Sequence, residues 1–335
     1  MDREGLPWVE LYRPHTIDNI VQQNEIVSAL KLTLSSSNLP HMLFYGPPGT
    51  GKTSCALALA RQLFGPSLLR ERVLELNASD ERGIRVVREK IKRFAQRSIS
   101  MIHDKKYLYP CPAYKIIILD EADAMTDESQ LALRQIIEAY SGITRFFLIC
   151  NFVTRIIKQL VSRCSKYRFK QINMESIGII LDKICHKENI VKHPELYDTL
   201  HKVSNGDLRR AITILQHAKY IDGENIKIST IIHISGFVPT HIIKNIIHKL
   251  KKISSYDDLM RINKAMLSFN YSISKVLIAL FNYIANDDNL DDIKKSLITI
   301  KLNDSYSNIN NGADDNIQML YILSFIRRIY QDLEL

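Results

Sequence analysis

The chain has 335 residues, and 45 Lys and Arg against 36 Asp and Glu give it a net charge of +9. This length is enough for ~2 or 3 domains, and the positive charge favours polyanionic partners without naming one. The first residues lack the apolar core of a signal peptide, and no apolar run approaches the ~18 residues of a membrane span. The 5 cysteines include no Cys-x-x-Cys pair, so neither a disulfide framework nor a zinc module is supported and we expect a reducing intracellular compartment.

Short β-branched runs alternate with longer amphipathic stretches in the first half of the chain. Strands are predicted at residues 41–45, 73–76, 115–119, 145–149 and 166–169. Alternation of this kind is typical of an α/β fold, in which a parallel sheet carries helices on both faces.

After about residue 171 the strand signal ends and helical spacing continues to the C-terminus. Three short helices are predicted at residues 174–188, 195–203 and 207–220, and further helices follow from about residue 236. The polar stretch 303–316 is predicted to be a flexible loop between the last helices.

A glycine-rich octapeptide follows the first predicted strand and precedes a helix-forming stretch that begins at Ser54. It reads Gly46-Pro47-Pro48-Gly49-Thr50-Gly51-Lys52-Thr53 and fits the phosphate-binding P-loop pattern in full. Glycines allow the backbone N–H groups to approach a phosphate at the positive end of the helix. Lys52 would then reach the β- and γ-phosphates, and the Thr53 hydroxyl would ligate Mg²⁺. The alternative is a glycine-rich turn that binds nothing.

Two adjacent carboxylates, Asp120 and Glu121, directly follow the apolar strand 115–119. Ligand sites in α/β proteins form at this carboxyl edge of the sheet. Asp120 would hold magnesium, directly or through its second shell, and Glu121 would polarise the water that attacks the γ-phosphate. The alternative is an acidic surface turn, and Asp123 is compatible with a turn cap that has no chemical role.

Asn151 follows a third apolar strand and offers an uncharged hydrogen-bonding group beside these carboxylates. It could contact the γ-phosphate or the attacking water, and the alternative is an ordinary turn asparagine.

Several further phrases occur in a fixed order along the chain. They are Pro7-Trp8-Val9-Glu10-Leu11-Tyr12-Arg13-Pro14, Glu75-Leu76-Asn77-Ala78-Ser79-Asp80-Glu81-Arg82-Gly83, Ile149-Cys150-Asn151, Ser162-Arg163-Cys164 and Gly206-Asp207-Leu208-Arg209. Together with the P-loop and the acidic strand, they resemble the small subunits of replication factor C, which are clamp loaders of the AAA+ ATPase superfamily. The resemblance covers residues 6 to about 236, and beyond it only helical content and length agree.

The resemblance implies three domains: an AAA+ ATPase domain of RecA-like α/β type at 1–171, a helical lid at 172–235, and an all-α collar at 236–335 that holds an assembly together. It implies ATP and Mg²⁺ as cofactors. It places Val9, Arg13 and Val21 in the adenine and ribose pocket, although the two valines alone would be taken for ordinary core. Asn151 and Arg209 become the two sensors of the γ-phosphate.

Arg163 has a role that rests on the resemblance alone. In the family this arginine is a finger that enters the ATP site of the neighbouring subunit and stabilises charge on the leaving phosphate. Locally, Arg163 is one of many arginines beside a strand.

Basic residues are arranged on a predicted helix at 84–96, where Arg85, Arg88 and Lys92 share one face. Such a stripe usually means a solvated face. The resemblance implies instead contact with the duplex backbone, which gives salt-dependent affinity without base specificity. Arg134 is a weaker candidate for DNA or interface contacts, because Gln135 follows it where the family commonly has a second arginine.

The resemblance implies an ATP-driven hetero-pentamer with other replication factor C subunits, which opens a sliding clamp and loads it onto primer-template DNA in the nucleus. One alternative is another AAA+ motor acting on DNA, such as a branch-migration helicase or an origin loader. Another is a nucleotide-binding scaffold with little turnover.

Overall fold

A computed structural model describes residues 5–35, 39–79, 84–97, 109–253, 255–268 and 271–331. The chain divides into two compact units, Met1–Asn225 and Ile226–Leu335. The sequence-based limit between lid and collar, at 235/236, differs from this division, and the three domain limits remain a prediction. In the described residues, no helix is both long and apolar enough to cross a membrane.

The first unit is built on a five-stranded parallel sheet with the strand order β2-β3-β4-β1-β5. Its strands are β1 (Met42–Tyr45), β2 (Val73–Asn77), β3 (Lys115–Asp120), β4 (Thr144–Cys150) and β5 (Ser165–Arg168). All five predicted strands form, with ends shifted by at most one residue. Strand β1 lies between β4 and β5, so the strand that leads into the P-loop is interior to the sheet.

Helices cover both faces of this sheet, and the last three of this unit lie in the predicted lid. They are α1 (Trp8–Leu11), α2 (Asn24–Ser35), α3 (Lys52–Arg72), α4 (Ile84–Gln96), α5 (Asp127–Tyr140), α6 (Lys158–Val161), α7 (Met174–Lys187), α8 (Leu196–Ser204) and α9 (Leu208–Asp222). One core cluster packs α2 and α3 against one face of the sheet, and a second packs α4 and α5 against the other. The fold is therefore the α/β class that the alternating pattern predicts.

The N-terminal segment is tied to the lid and to the chain that leads into it. Tyr12 Oη donates to Glu188 Oε1 at 2.6 Å, and the Trp8 backbone N donates to Gln216 Oε1 at 3.1 Å. The Gln23 amide forms a reciprocal pair with Lys170, because Nε2 donates to Lys170 O at 2.8 Å and Oε1 accepts from Lys170 N at 3.2 Å. These bonds join elements that are distant in sequence.

The second unit consists of helices. They are α10 (Ile228–Ser235), α11 (Thr240–Lys252), α12 (Tyr256–Ser268), α13 (Ile273–Ala285), α14 (Asp292–Asn310) and α15 (Asp315–Tyr330). The helices from α11 onward pack around one apolar core. This core contains the apolar faces that the helical spacing predicts, including Ile243, Leu280 and Ile326, which are at most 1% exposed.

The predicted flexible loop at 303–316 is wrong, since α14 continues to Asn310 and only residues 311–314 separate it from α15. The polar composition of this stretch hides one buried face, on which Ile298, Leu302 and Ser305 recur at helical spacing. Ile309 packs against the same core one turn later. Tertiary burial of this narrow stripe stabilises a helix that the composition disfavours.

Candidate nucleotide-binding site

The P-loop connects β1 to α3 through glycines with positive φ. Gly46, Gly49 and Gly51 have φ values of 142°, 69° and 92°. A Cβ atom on Gly46 would overlap the carbonyl oxygen of Phe169, and one on Gly49 would overlap the carboxylate of Asp207. Only glycine satisfies both the backbone conformation and the close approach at these two positions.

Lys52, the first residue of α3, is buried and joins the loop to a neighbouring strand. Its Nζ donates to Gly46 O and Pro47 O, both at 2.8 Å, and to Asn151 Oδ1 at 2.9 Å. Burial lowers the pKa of Lys52, while the nearby Asp120 carboxylate acts in the opposite direction. The arrangement holds one ammonium group where the ends of β1 and β4 meet.

The two carboxylates after β3 have different surroundings. Asp120 Oδ2 accepts from Thr53 Oγ1 at 2.6 Å, and Asp120 Oδ1 accepts from the Glu121 backbone N at 2.8 Å. Glu121 is exposed and has a φ of 53°, an uncommon value for a residue with a side chain. Asp120 is thus tied to the P-loop, whereas the Glu121 carboxylate lies at the open side.

A hydroxyl and a carboxylate oxygen at this separation suit Mg²⁺, which prefers oxygen ligands and keeps several waters. The residues that the structure describes contain no group of three or more His, Cys, Asp or Glu side chains that could hold a metal ion. The Thr53 hydroxyl and the Asp120 carboxylate are oxygen groups that would suit such an ion.

Asp123 has a structural role that its sequence position alone leaves open. Its Oδ2 accepts from the backbone N–H groups of Asn151 and Phe152, at 3.1 and 3.0 Å. The carboxylate thereby fixes the chain where β4 ends and orients Asn151 toward Lys52. The signal in the sequence is only an acidic residue after the strand, without a pattern that links it to residues 28 positions later.

An open cavity of about 650 Å³ lies between the carboxyl edge of the sheet and the predicted lid. The predicted residues that line it are Val9, Arg13, Val21, Pro48, Gly49, Thr50, Gly51, Lys52, Thr53, Ser54, Asp120, Glu121, Asn151 and Arg209. Gly46 and Pro47 belong to the loop without lining the cavity. Sequence reasoning missed several lining residues, including Tyr12, Ile172, Lys183, His186, Lys187 and Ile212.

Arg209 reaches the cavity because it lies in the first turn of α9. Asp207 caps this helix, with its Oδ1 accepting from the Arg210 backbone N at 3.2 Å. Since a cation at a helix N-terminus is disfavoured by the helix dipole, an anionic partner in the cavity would compensate the charge of Arg209.

Arg163 does not line the cavity. It lies in the connection between α6 and β5, is about two-fifths exposed, and forms an ion pair with Glu138 of α5. Arg134, one turn earlier on α5, pairs with the same carboxylate at 2.9 Å. The structure thus separates Arg163 from the site of its own chain and brings Arg134 beside it.

The predicted basic helix forms as α4, at the bounds the sequence gives. Ile91 and Phe94 are buried against the sheet, and Lys92 is exposed. The side chains of Arg85 and Arg88, and all of residues 80–83 in the phrase that follows Ser79, lie outside the described residues. A role of this helix in DNA binding stays a prediction.

Three family models match successive parts of the chain. Residues 42–172 match the ATPase family associated with various cellular activities (AAA), residues 179–220 match an RCF1/5-like AAA+ ATPase lid domain, and residues 238–324 match the replication factor C C-terminal domain.

Curated relatives match over nearly the whole chain. The chain is 46% identical to replication factor C subunit 2 of Saccharomyces cerevisiae, over 96% of this chain and 93% of the relative. It is also 46% identical to replication factor C subunit 4 of Homo sapiens, over 96% of this chain and 88% of the relative. Among the small subunits, the sequence phrases 68–82 and 149–152 look most like the subunit numbered second in yeast and fourth in humans, and these relatives confirm that interpretation.

A solved structure of the RuvB Holliday junction branch migration motor from Thermotoga maritima superposes with a TM-score of 0.51, over 78% of this chain and 89% of that chain. At 17% sequence identity this likeness concerns the fold alone. The full-length similarity at 46% identity and the matched C-terminal domain decide the family. The chain belongs to the replication factor C small subunits, ATPases of the AAA+ superfamily that serve in clamp loading.

Proposed function

We propose that this chain binds ATP and Mg²⁺ in the cavity between its sheet and its lid, and hydrolyses ATP as one subunit of a hetero-pentameric clamp loader. The observation that supports this most directly is that two hydrogen-bonded pairs line one cavity: Lys52 with Asn151 at 2.9 Å, and Thr53 with Asp120 at 2.6 Å. Lys52 and Thr53 begin α3, Asp120 ends β3, and Asn151 follows β4. Together these side chains supply the groups that a nucleoside triphosphate and its metal ion require.

Binding would use the whole length of the cavity. Val9 and Val21 offer apolar surface to the base, and Arg13 lies beside the ribose. The loop Gly46–Thr53 would surround the phosphates, which the backbone N–H groups of its non-proline residues and of Ser54 would hold together with Lys52. Thr53 and Asp120 would hold the metal ion. When bound, Mg²⁺ neutralises charge on the phosphate oxygens.

Hydrolysis would depend on residues at the open side of the cavity. Glu121 polarises the attacking water, and its exposed position after β3 leaves room for that water. Asn151 would release Lys52 and contact the γ-phosphate, while Arg209 brings a positive charge from the lid.

Arg163 would complete the site of a neighbouring subunit. Its position outside the cavity of its own chain supports this division of labour. A finger supplied by another subunit contributes ~10³–10⁵ in rate, so hydrolysis would be slow until the assembly forms.

The ATP cycle would open a sliding clamp and release it on primer-template DNA in the nucleus. Lys92, with Arg85, Arg88 and Arg134, would follow the phosphate backbone of the duplex. The proposed domains at 1–171, 172–235 and 236–335 would supply the ATPase, the lid and the collar.

Single-turnover hydrolysis in the reconstituted assembly tests this proposal. We expect Glu121→Gln to lower the hydrolysis rate about 10²-fold or more while ATP still binds, because the water loses its base. Arg163→Ala should leave ATP binding by the isolated chain unchanged and slow hydrolysis in the assembly. Equal loss of ATP binding by the isolated Arg163 variant would contradict the trans role, and an unchanged rate with Glu121→Gln would favour the nucleotide-binding scaffold.

A further inference from the structure

Two arginines share one carboxylate oxygen at the end of α5. Glu138 Oε1 accepts from Arg134 Nε at 2.9 Å and from a terminal nitrogen of Arg163. Arg134 lies one helical turn before Glu138, whereas Arg163 comes from the connection after α6. The side chains of the three residues are 37–41% exposed, so the cluster lies at the surface of the first unit.

The elements that carry this cluster are fixed to each other by a buried glutamine. Gln130, 1% exposed, donates from Nε2 to Arg155 O at 2.9 Å and accepts at Oε1 from Ile157 N at 2.8 Å. Because Gln130 is on α5 and residues 155–157 lead into α6, the backbones on both sides of the Glu138–Arg163 pair form one framework. The orientation of the Arg163 side chain then depends mainly on its own partner.

Exposed ion pairs of this kind contribute little to stability. They do restrict the orientation of the side chain, because an arginine without a partner can adopt many rotamers. Arg163 contacts Glu138 through one terminal nitrogen, and a guanidinium group has five N–H donors. Donors therefore remain on Arg163 for a phosphate while the pair with Glu138 persists.

Because Arg134 also pairs with the Glu138 carboxylate, Glu138 can orient Arg163 and still allow it to leave. The bond of Arg134 to Glu138 is internal to α5, so the charge of Glu138 is compensated whether or not Arg163 stays in contact. Hydrogen bonds from the two guanidinium groups also lower the pKa of Glu138.

We infer that Glu138 is a positioning residue, which holds the Arg163 guanidinium ready to contact the ATP bound by the neighbouring subunit. This inference rests on the proposed role of Arg163 in trans. The partner is a nucleoside triphosphate whose γ-phosphate faces the surface formed by α5 and the connection after α6. The opposite arrangement, in which Glu138 sequesters Arg163, predicts faster hydrolysis when Glu138 is removed.

The test is steady-state and single-turnover hydrolysis by the reconstituted assembly with four variants of this chain: Glu138→Ala, Arg163→Ala, the double variant, and Glu128→Ala. Glu128 is an exposed glutamate at the other end of α5 and serves as the matched control. We expect Glu138→Ala to lower kcat on the order of 10-fold with an unchanged KM for ATP, because a loosened finger is less often in place.

The double variant separates positioning from a general effect on the fold. If Glu138 acts through Arg163, removing it from the Arg163→Ala chain causes no further loss, so the two effects are not additive. Additive losses, a higher kcat, or a Glu138→Ala assembly as fast as the Glu128→Ala control would each overturn the inference. If Arg163→Ala alone leaves kcat unchanged, the proposed trans role itself fails. A thermal midpoint for Glu138→Ala close to that of the control confirms that the chain is folded.

Discussion

The two units of this chain use their buried side chains in different ways. In the first unit, charged and polar groups converge at one edge of the sheet, and Lys52 is only 7% exposed. In the second unit the interior is apolar, with isolated polar pairs such as Tyr330 Oη donating to Asp287 Oδ2 at 2.6 Å. Asp287 is also only 7% exposed, but its partners Tyr330, Asn289 and Lys251 all lie in the second unit. Lys52 instead lines a cavity, where a buried charge is available to a ligand.

Replacing Lys52 should therefore remove function with little effect on stability. We expect Lys52→Met to lower hydrolysis in the assembly by about 10²–10³-fold, because the phosphates lose their charged donor. The thermal midpoint should change by only a few degrees, since methionine fills similar space without a buried charge. Single-turnover hydrolysis and calorimetry measure the two effects, with the exposed Lys166→Met as control. A fall in midpoint as large as that of a core substitution would contradict this view of the site.

Leu280→Ala, in contrast to Lys52→Met, should lower stability and leave nucleotide binding unchanged. Leu280 is 0% exposed in α13, and truncating a buried leucine costs about 2–5 kcal/mol of stability. Amide hydrogen exchange in α11, α13 and α15 should become faster, while ATP affinity of the isolated chain stays the same. Ile278 lies on the same helix and is 48% exposed, so Ile278→Ala is the control. It should have little effect on the rate of amide hydrogen exchange. Weaker ATP binding by the Leu280 variant would contradict this prediction, because it would show that nucleotide affinity depends on the stability of the second unit.

A smaller effect on stability is expected from the protonation of His41, which directly precedes β1. Burial, together with the charge of Arg145, lowers its pKa from 6.5 to about 4, and its Nδ1 accepts from the Phe146 backbone N at 3.1 Å. The unfolded chain therefore binds a proton at higher pH than the folded chain, so stability falls as the pH is lowered from about 6.5 to about 4.

Thermal midpoints across this range measure the His41 effect. His41→Gln lacks the titrating group, and we expect its midpoint to fall less steeply between about pH 6.5 and pH 4 than that of the parent. Parallel curves for the two chains would rule out His41 as the source of the pH dependence.

The fold and the neighbourhood of the site were largely accessible from the sequence, because both depend on local patterns. The P-loop spacing, the strand that ends in Asp120 and Glu121, and the helical stripes are each contained in short segments. The position of β4 between β1 and β3 could not be predicted from the sequence, because strand order depends on packing between distant segments. That order is what brings Asn151 next to Lys52.

The remaining differences also come from tertiary contacts. Polar residues of α14 are helical because a narrow apolar stripe is buried, which composition does not reveal. The link between Glu138 and Arg163 joins residues 25 positions apart and leaves no periodic signal. Asp123 is similar, because its two acceptor contacts are to backbone groups at the end of another strand.

The contacts of the N-terminal segment have a consequence for synthesis on the ribosome. Trp8 is made 208 residues before its partner Gln216, and Tyr12 is made 176 residues before its partner Glu188. At ~5–20 residues per second, roughly 10–40 s pass before α1 can dock. The P-loop and its strand emerge well within that time. The wall of the cavity that is translated first is therefore the last to reach its place.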